Sequence, residues 1–236
     1  MEITKLTCIC PKCWRTTPIE LAMSKRAMHT KISYNHYIIH FDECVARGVL
    51  KFDPICNRCG LQEEYEDKPF IVDSMLGSAI KRFNKYGLKT NYSCQGHVTT
   101  DEYGNESIII PYLMFKAGMD TIHILHDIFT RVNEMGYYPG LISEEIGMMV
   151  CEKGSYKRNY YTYEQACKLS KAKREQLEFC FILSDEVVDK LYNCIYADKD
   201  SFYYTQRQFV GFLELVCEYL PEKTSELEKR KVGKTK

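Results

Sequence analysis

The residues of this chain best suited to chemistry are closely spaced cysteines. Cys10-Pro11-Lys12-Cys13 and Cys56-Asn57-Arg58-Cys59-Gly60 are two CxxC turns among twelve cysteines. A two-residue gap lets both sulfurs of a turn point at one ion, and the glycine behind the second relieves the tight bend. Together the turns offer four thiolates, the tetrahedral all-sulfur set that zinc prefers. The spacing therefore predicts a structural zinc on Cys10, Cys13, Cys56 and Cys59. Such a set leaves no open position for a reacting water, so the ion would replace a core that a short segment cannot build. Cys8 is a spare thiol next to the first turn, and His40 with Cys44 is an alternative ligand pair if a helical turn spans them.

The second constellation is Tyr92-Ser93-Cys94-Gln95-Gly96-His97. It sits where a strand should end, a position at which sites gather in α/β units. Cys94 can be read as a nucleophile or a metal ligand, with His97 as base or co-ligand, and Gly96 permits a sharp turn. A thiolate needs a cation, hydrogen-bond donors or a metal to form at neutral pH. The plainer reading makes Cys94 a small buried residue and His97 a partner of a backbone carbonyl. His123 and His126 raise a second-metal hypothesis with this pair. Helical spacing puts His126 at the edge of the stripe Ile122, Leu125, Phe129 and Val132, and His123 on the polar side.

The same segment carries a resemblance. Ile80-x-x-Phe83-Asn84-x-x-Gly87-Leu88-x-Thr90-x-x-Ser93-Cys94-x-Gly96-His97, followed by Leu113-Met114-Phe115-Lys116, resembles a pattern in SCxGH-motif proteins of low-GC Gram-positive bacteria and their phages, several with an N-terminal CxxC pair. The resemblance implies a prokaryotic or phage origin and brings no activity with it. A more distant likeness is to the Tyw3 family, which methylates a modified tRNA base with S-adenosylmethionine and has a Ser-Cys-Ser-Gly-Arg turn after a similar helix and strand. Here Gln95 and His97 replace the second serine and the arginine. What that likeness implies is confined to Cys94 and Gly96 lining a site.

Around these residues the chain has 236 positions, enough for one large or two small domains. Formal net charge is zero, which argues against a strongly electrostatic nucleic-acid binder while allowing a local basic patch. No signal peptide opens the sequence, and the longest apolar run, residues 108–115, is too short to span a bilayer. These features point to a cytoplasmic protein with no membrane segment, whose thiols are metal-bound or buried rather than bridged. The basic run Lys168-x-x-Lys171-x-Lys173-Arg174, near Tyr156, Lys157, Arg158, Tyr160 and Tyr161, could follow a phosphate backbone or form a solvated helix face. Dinucleotide, P-loop, zincin and nucleophile-elbow motifs are absent from the sequence.

The elements that would position these groups divide the chain into four sections. Residues 1–68 read as a zinc-ribbon-like section, with a short helix after the pattern Thr17-Pro18-Ile19-Glu20 and a strand over residues 31–41. Residues 69–154 read as an α/β section holding the SCQGH turn. Its helices start at Asp73 and Asp120, and its strands run over residues 88–93, 108–115 (bent at Pro111) and 147–151. Residues 155–221 read as helical, with capping boxes at Thr162-x-x-Gln165 and Thr205-x-x-Gln208, a helix from Ser184 and a stop at Pro221. Residues 222–236 form a charged tail. The expected fold is α+β, with a small central sheet and C-terminal helices. The expected function is a zinc-stabilised regulatory or host-interaction factor that binds a macromolecular partner, in the first place a protein. Two alternatives stay open: an enzyme or small-ligand binder acting at Cys94 and His97, and a binder of RNA or single-stranded nucleic acid.

Overall fold

Alternation along three segments sets the main sheet. Leu113 and Phe115, Phe179, Phe181 and Leu183, and Ile142, Ile146 and Met148 are all buried and fall every second residue or a multiple of it, so each segment presents one apolar face when extended. In the computed structural model these segments are neighbouring strands. The backbone is described for residues 3–11, 13–22, 30–34, 37–44, 49–56, 70–100, 106–152, 155–194 and 199–233. Side chains are described for 6–11, 13–16, 72–98, 107–151, 156–193 and 199–221. The chain is mixed α and β and divides into two compact units, Met1–Lys81 and Arg82–Lys236.

The first unit holds β1 (Ile3–Ile9), β2 (Thr16–Ala22), β3 (Thr30–Tyr34), β4 (Tyr37–Cys44), β5 (Val49–Cys56) and β6 (Phe70–Asp73). They form two antiparallel three-stranded sheets, ordered β2-β1-β6 and β3-β4-β5. The Thr17-Pro18 segment is strand β2, not the expected helix. Its pairing with β1, Ile9 opposite Thr16 through Ile3 opposite Ala22, overrides the local capping pattern. Pro18 is tolerated because β2 is an outer strand of its sheet. The strand expected over residues 31–41 is a hairpin of two, β3 and β4.

The second unit is built on a five-stranded antiparallel sheet, ordered β12-β11-β13-β10-β7. Its strands are β7 (Thr90–Cys94), β10 (Tyr112–Lys116), β11 (Ile142–Glu152), β12 (Ser155–Tyr161) and β13 (Glu178–Leu183). A separate hairpin pairs β8 (His97–Thr100) with β9 (Glu106–Ile109). Helix α1 (Gly77–Lys85) begins before the division between the units. Helices α2 (Met119–Glu134), α3 (Tyr163–Cys167), α4 (Lys171–Arg174), α5 (Asp185–Cys194) and α6 (Lys199–Gly233) follow. Two strands thus lie in the stretch expected to be helical, because β12 and β13 complete the sheet around β11. Pro111 does break the extended run, falling between β9 and β10.

Phenylalanines join the sheet to the helices. Phe181 on β13 meets Phe129 of α2 and Phe212 of α6 at centroid distances of 6.0 and 5.3 Å, and Phe115 meets Phe83 of α1 at 4.9 Å. Helix α6 turns Phe202, Gln206, Phe209, Leu213, Val216 and Leu220 inward at three- and four-residue spacing, all buried. On α2, Ile122, Leu125 and Val132 are buried as the stripe requires, but Met135 is exposed because the helix ends at Glu134. The capping box at Thr162 forms in both directions, with Gln165 N donating to Thr162 Oγ1 (3.3 Å) and Thr162 N to Gln165 Oε1 (2.9 Å). Thr205 is instead interior to α6, and its hydroxyl donates to Ser201 O at 2.9 Å.

Helix α6 also runs through Pro221, where a stop was expected. Proline lacks the N–H that would bond to the carbonyl four residues back, Cys217 O. That carbonyl accepts from Arg82 Nη2 at 3.0 Å, while Arg82 Nη1 pairs with Glu214 at 3.2 Å. The side chain of Arg82 thus meets a need created by the proline. Phe181 sits where α2, α6 and the sheet converge, so Phe181→Ala should cost about 3–5 kcal/mol of the second unit's stability. A urea titration of wild type and variant measures this, and a loss under 1 kcal/mol would contradict the packing.

Candidate functional site

The turn between β7 and β8 is the first of three chemically loaded places. Cys94 ends β7, opposite Tyr112, and His97 opens β8, opposite Ile109. Between them Gly96 takes φ +87°, a left-handed conformation that glycine adopts without strain. A Cβ there would sit 3.1 Å from Ile109 O, the Phe202 ring and Pro111, so glycine is required on two counts. The Gly96 N–H points at Cys94 Sγ, 3.3 Å away, and the Gly96 carbonyl accepts from the buried amide of Gln206 at 2.8 Å. The Cys94 sulfur and a ring nitrogen of His97 lie within 4.8 Å of one another. Both side chains are half-buried. The structure thus brings together the sulfur and imidazole that the sequence singled out. Gln206 is the participant that sequence reading missed, since nothing in a helical apolar stripe flags one buried amide as a tether.

A second cluster lies on the helix-covered face of the sheet. His126 Nδ1 of α2 is 2.6 Å from Glu144 Oε1 of β11, and the His126 ring stacks on Tyr163 of α3 at 3.8 Å. His123 Nδ1 is 2.5 Å from the Tyr163 hydroxyl. The two histidines therefore share one side of α2, which corrects the expectation that His123 faces away. Their partners are Glu144 and Tyr163, not the Cys94 turn. Burial pushes the Glu144 carboxyl above its ordinary value, and His126 pulls it partly back through charge and hydrogen bond. Glu144 Oε2 is buried without a hydrogen-bond partner. Burial also raises Tyr163, with Cys167 and Asp127 adding to it.

Comparison with known proteins adds nothing to these sites. No family model, curated protein or solved structure matches this chain.

The third place is the sheet face turned away from α2 and α6. Register puts Tyr92, Tyr112, Met114, Cys180, Glu145, Gly147, Met149, Tyr156, Arg158 and Tyr160 on it. Arg158 reaches from β12 across Gly147, where an added Cβ would meet its Nε at 2.6 Å, to Glu178 Oε2 at 3.0 Å and Met114 Sδ at 3.8 Å. Burial raises the Glu145 carboxyl, with Arg158 opposing, and pushes the Cys180 thiol up to about 12. Cys217 in α6 is likewise pushed up to about 12 by burial. Both are thiols held protonated, unsuited to nucleophilic or ligand roles. From the basic run, Lys171 and Arg174 line a groove with Gly118, Met119, Asp120 and Glu175, so acids interrupt the positive charge.

Of the four expected zinc ligands, Cys10 and Cys13 are described. They occupy the tip of the β1–β2 hairpin, where Trp14 N donates to Cys10 O (2.8 Å), Cys10 N donates to Arg15 O (3.1 Å) and Trp14 takes φ +55°. Cys10 is buried and Cys13 half-buried. Cys56 ends β5 in backbone trace. Its side chain lies outside the described residues, as does Cys59 altogether. Cys8 is buried within β1. His40 and Cys44 lie on strand β4, not a helical turn. Four residues of strand separate their backbones by about 13 Å, too far for one ion. No helix among the described residues is long and apolar enough to cross a membrane.

Glu144 supplies a pH test. Its carboxyl ionises less readily in the folded chain than its ordinary value of 4.5. Its contribution to stability is therefore full below pH 4.5 and lost as pH rises through the raised native value. Glu144→Gln removes that loss. Melting temperatures across this window should shift in favour of the variant as pH rises, and a constant gap would contradict the assignment.

Proposed function

We propose that this chain is a non-enzymatic binding protein that engages a protein partner through the face of its main sheet opposite α2 and α6. The observation that carries this reading is the exposure of large side chains there: Tyr156 at 75%, Tyr92 at 62%, Tyr160 at 60% and Met149 at 48%. Tyrosine, methionine and arginine are the residues enriched at protein interfaces, where an apolar body and a polar tip both find use. The charge on this face is balanced, with Arg158 paired to Glu178 and Glu145 nearby, and the whole chain is neutral. That balance favours a protein over a polyanion. The reading fits a cytoplasmic regulatory or host-interaction factor of prokaryotic or phage origin. Its first unit would be held by a structural zinc on Cys10, Cys13, Cys56 and Cys59, in the manner of a zinc ribbon.

A second reading is supported by β12, where Tyr156, Arg158 and Tyr160 set aromatic rings beside a cation, as stacking platforms for single-stranded RNA do. A photo-crosslinking residue at position 160 separates the two. Crosslinks to one protein support the first reading, crosslinks to RNA the second, and the absence of both overturns this face as the docking surface. With the captured protein purified, Tyr156→Ala/Tyr160→Ala should weaken its binding by roughly tenfold or more. Tyr137→Ala, an exposed tyrosine between α2 and β11, should leave it unchanged.

The zinc is tested separately. Native mass spectrometry should find a tightly held zinc that Cys56→Ser/Cys59→Ser loses, with a fall in thermal stability. An unchanged metal content in that variant would remove zinc from those positions.

A further inference from the structure

We propose that Cys94 and His97 form a site for a thiophilic divalent cation of the zinc type, distinct from the four-cysteine set and independent of the partner-binding reading. The two donors lie within 4.8 Å of one another on one turn. Zinc bonds of about 2.3 Å to sulfur and about 2.0 Å to nitrogen hold two such donors about 3.5 Å apart at a tetrahedral angle, inside that bound. Donor types agree as well, since thiolate and imidazole are the ligands that zinc and cobalt accept together.

The turn is preformed for the task. The Gly96 N–H aims at the Cys94 sulfur from 3.3 Å and holds it toward the turn. Gly96 is seated against Ile109 O, Phe202 and Pro111, each 3.1 Å from where a Cβ would stand, and Gln206 holds its carbonyl at 2.8 Å. Strand β7 fixes one donor and strand β8 the other, so little freedom is lost when an ion arrives.

The same geometry weighs against a thiol nucleophile. Acyl transfer at a thiol needs backbone N–H groups aimed at a developing oxyanion. Here the Gly96 N–H is directed at the sulfur itself. The rest of the coordination sphere would take oxygen or nitrogen ligands, which a bound ion would polarise.

The probe is cobalt(II), whose thiolate complexes absorb by charge transfer in the near ultraviolet. Metal-free full-length chain is titrated with cobalt under anaerobic conditions, alongside Cys94→Ser and His97→Gln. Wild type should bind one more cobalt per chain than Cys94→Ser, and the lost component should be a cobalt–thiolate band. His97→Gln should keep a shifted band at roughly tenfold weaker affinity or worse, since loss of even an outer partner of a ligand costs 10–100-fold. Comparing variants this way does not depend on whether the four-cysteine set also loads. Identical stoichiometry and spectra for wild type and Cys94→Ser overturn the proposal, as does a wild-type affinity in His97→Gln. Circular dichroism reports folding of each variant. If Cys94→Ser does not fold, His97→Gln decides alone.

Discussion

The second unit depends on one requirement: an antiparallel sheet with phenylalanines along one face must have that face taken out of water. Phe181 meets the rings of Phe115, Phe129, Phe179 and Phe212, edge-on or tilted, at centroid distances of 5.0 to 6.0 Å. Edge-to-face arrangements of this kind add to the gain from burial alone. Two helices of different origin in the chain, α2 and α6, converge on that seam. Once they do, the polar groups of α2 are carried against β11 and α3, which is why His126 finds Glu144 and Tyr163. The opposite face is then left to the tyrosines and to Arg158.

The Cys94 turn is a by-product of the same packing. Helix α6 brings Phe202 and Gln206 to Gly96, the first as a wall and the second as a hydrogen-bond donor. A turn that a short peptide would sample among many conformations is thereby held in one. The sulfur and imidazole are oriented by a helix more than a hundred positions later in the chain, the Gln206 bond to Gly96 spanning 110 positions.

Periodic residues were legible in the sequence and long-range pairing was not. The stripe Ile122, Leu125 and Val132 announced α2, and Thr162 with Gln165 announced the start of α3, because those signals act within four residues. The Cys94–Gly96–His97 turn was legible for the same reason. Strands β12 and β13 are not announced locally, because both pair with β11 and short apolar runs do not distinguish a central strand from a buried helix. Thr17-Pro18-Ile19-Glu20 imitates a helix start, but the pairing with β1 decides its conformation. Gln206 and Arg82 could not have been chosen from sequence, since each acts on a backbone carbonyl far along the chain.

Pro221 would ordinarily end a helix, yet α6 continues to Gly233, with the carbonyl of Cys217 met by the Arg82 guanidinium 135 positions away. The carbonyl freed one turn before the proline is thus met by a side chain from another element. The passage of the helix through its proline is in that sense a property of α1 as much as of α6.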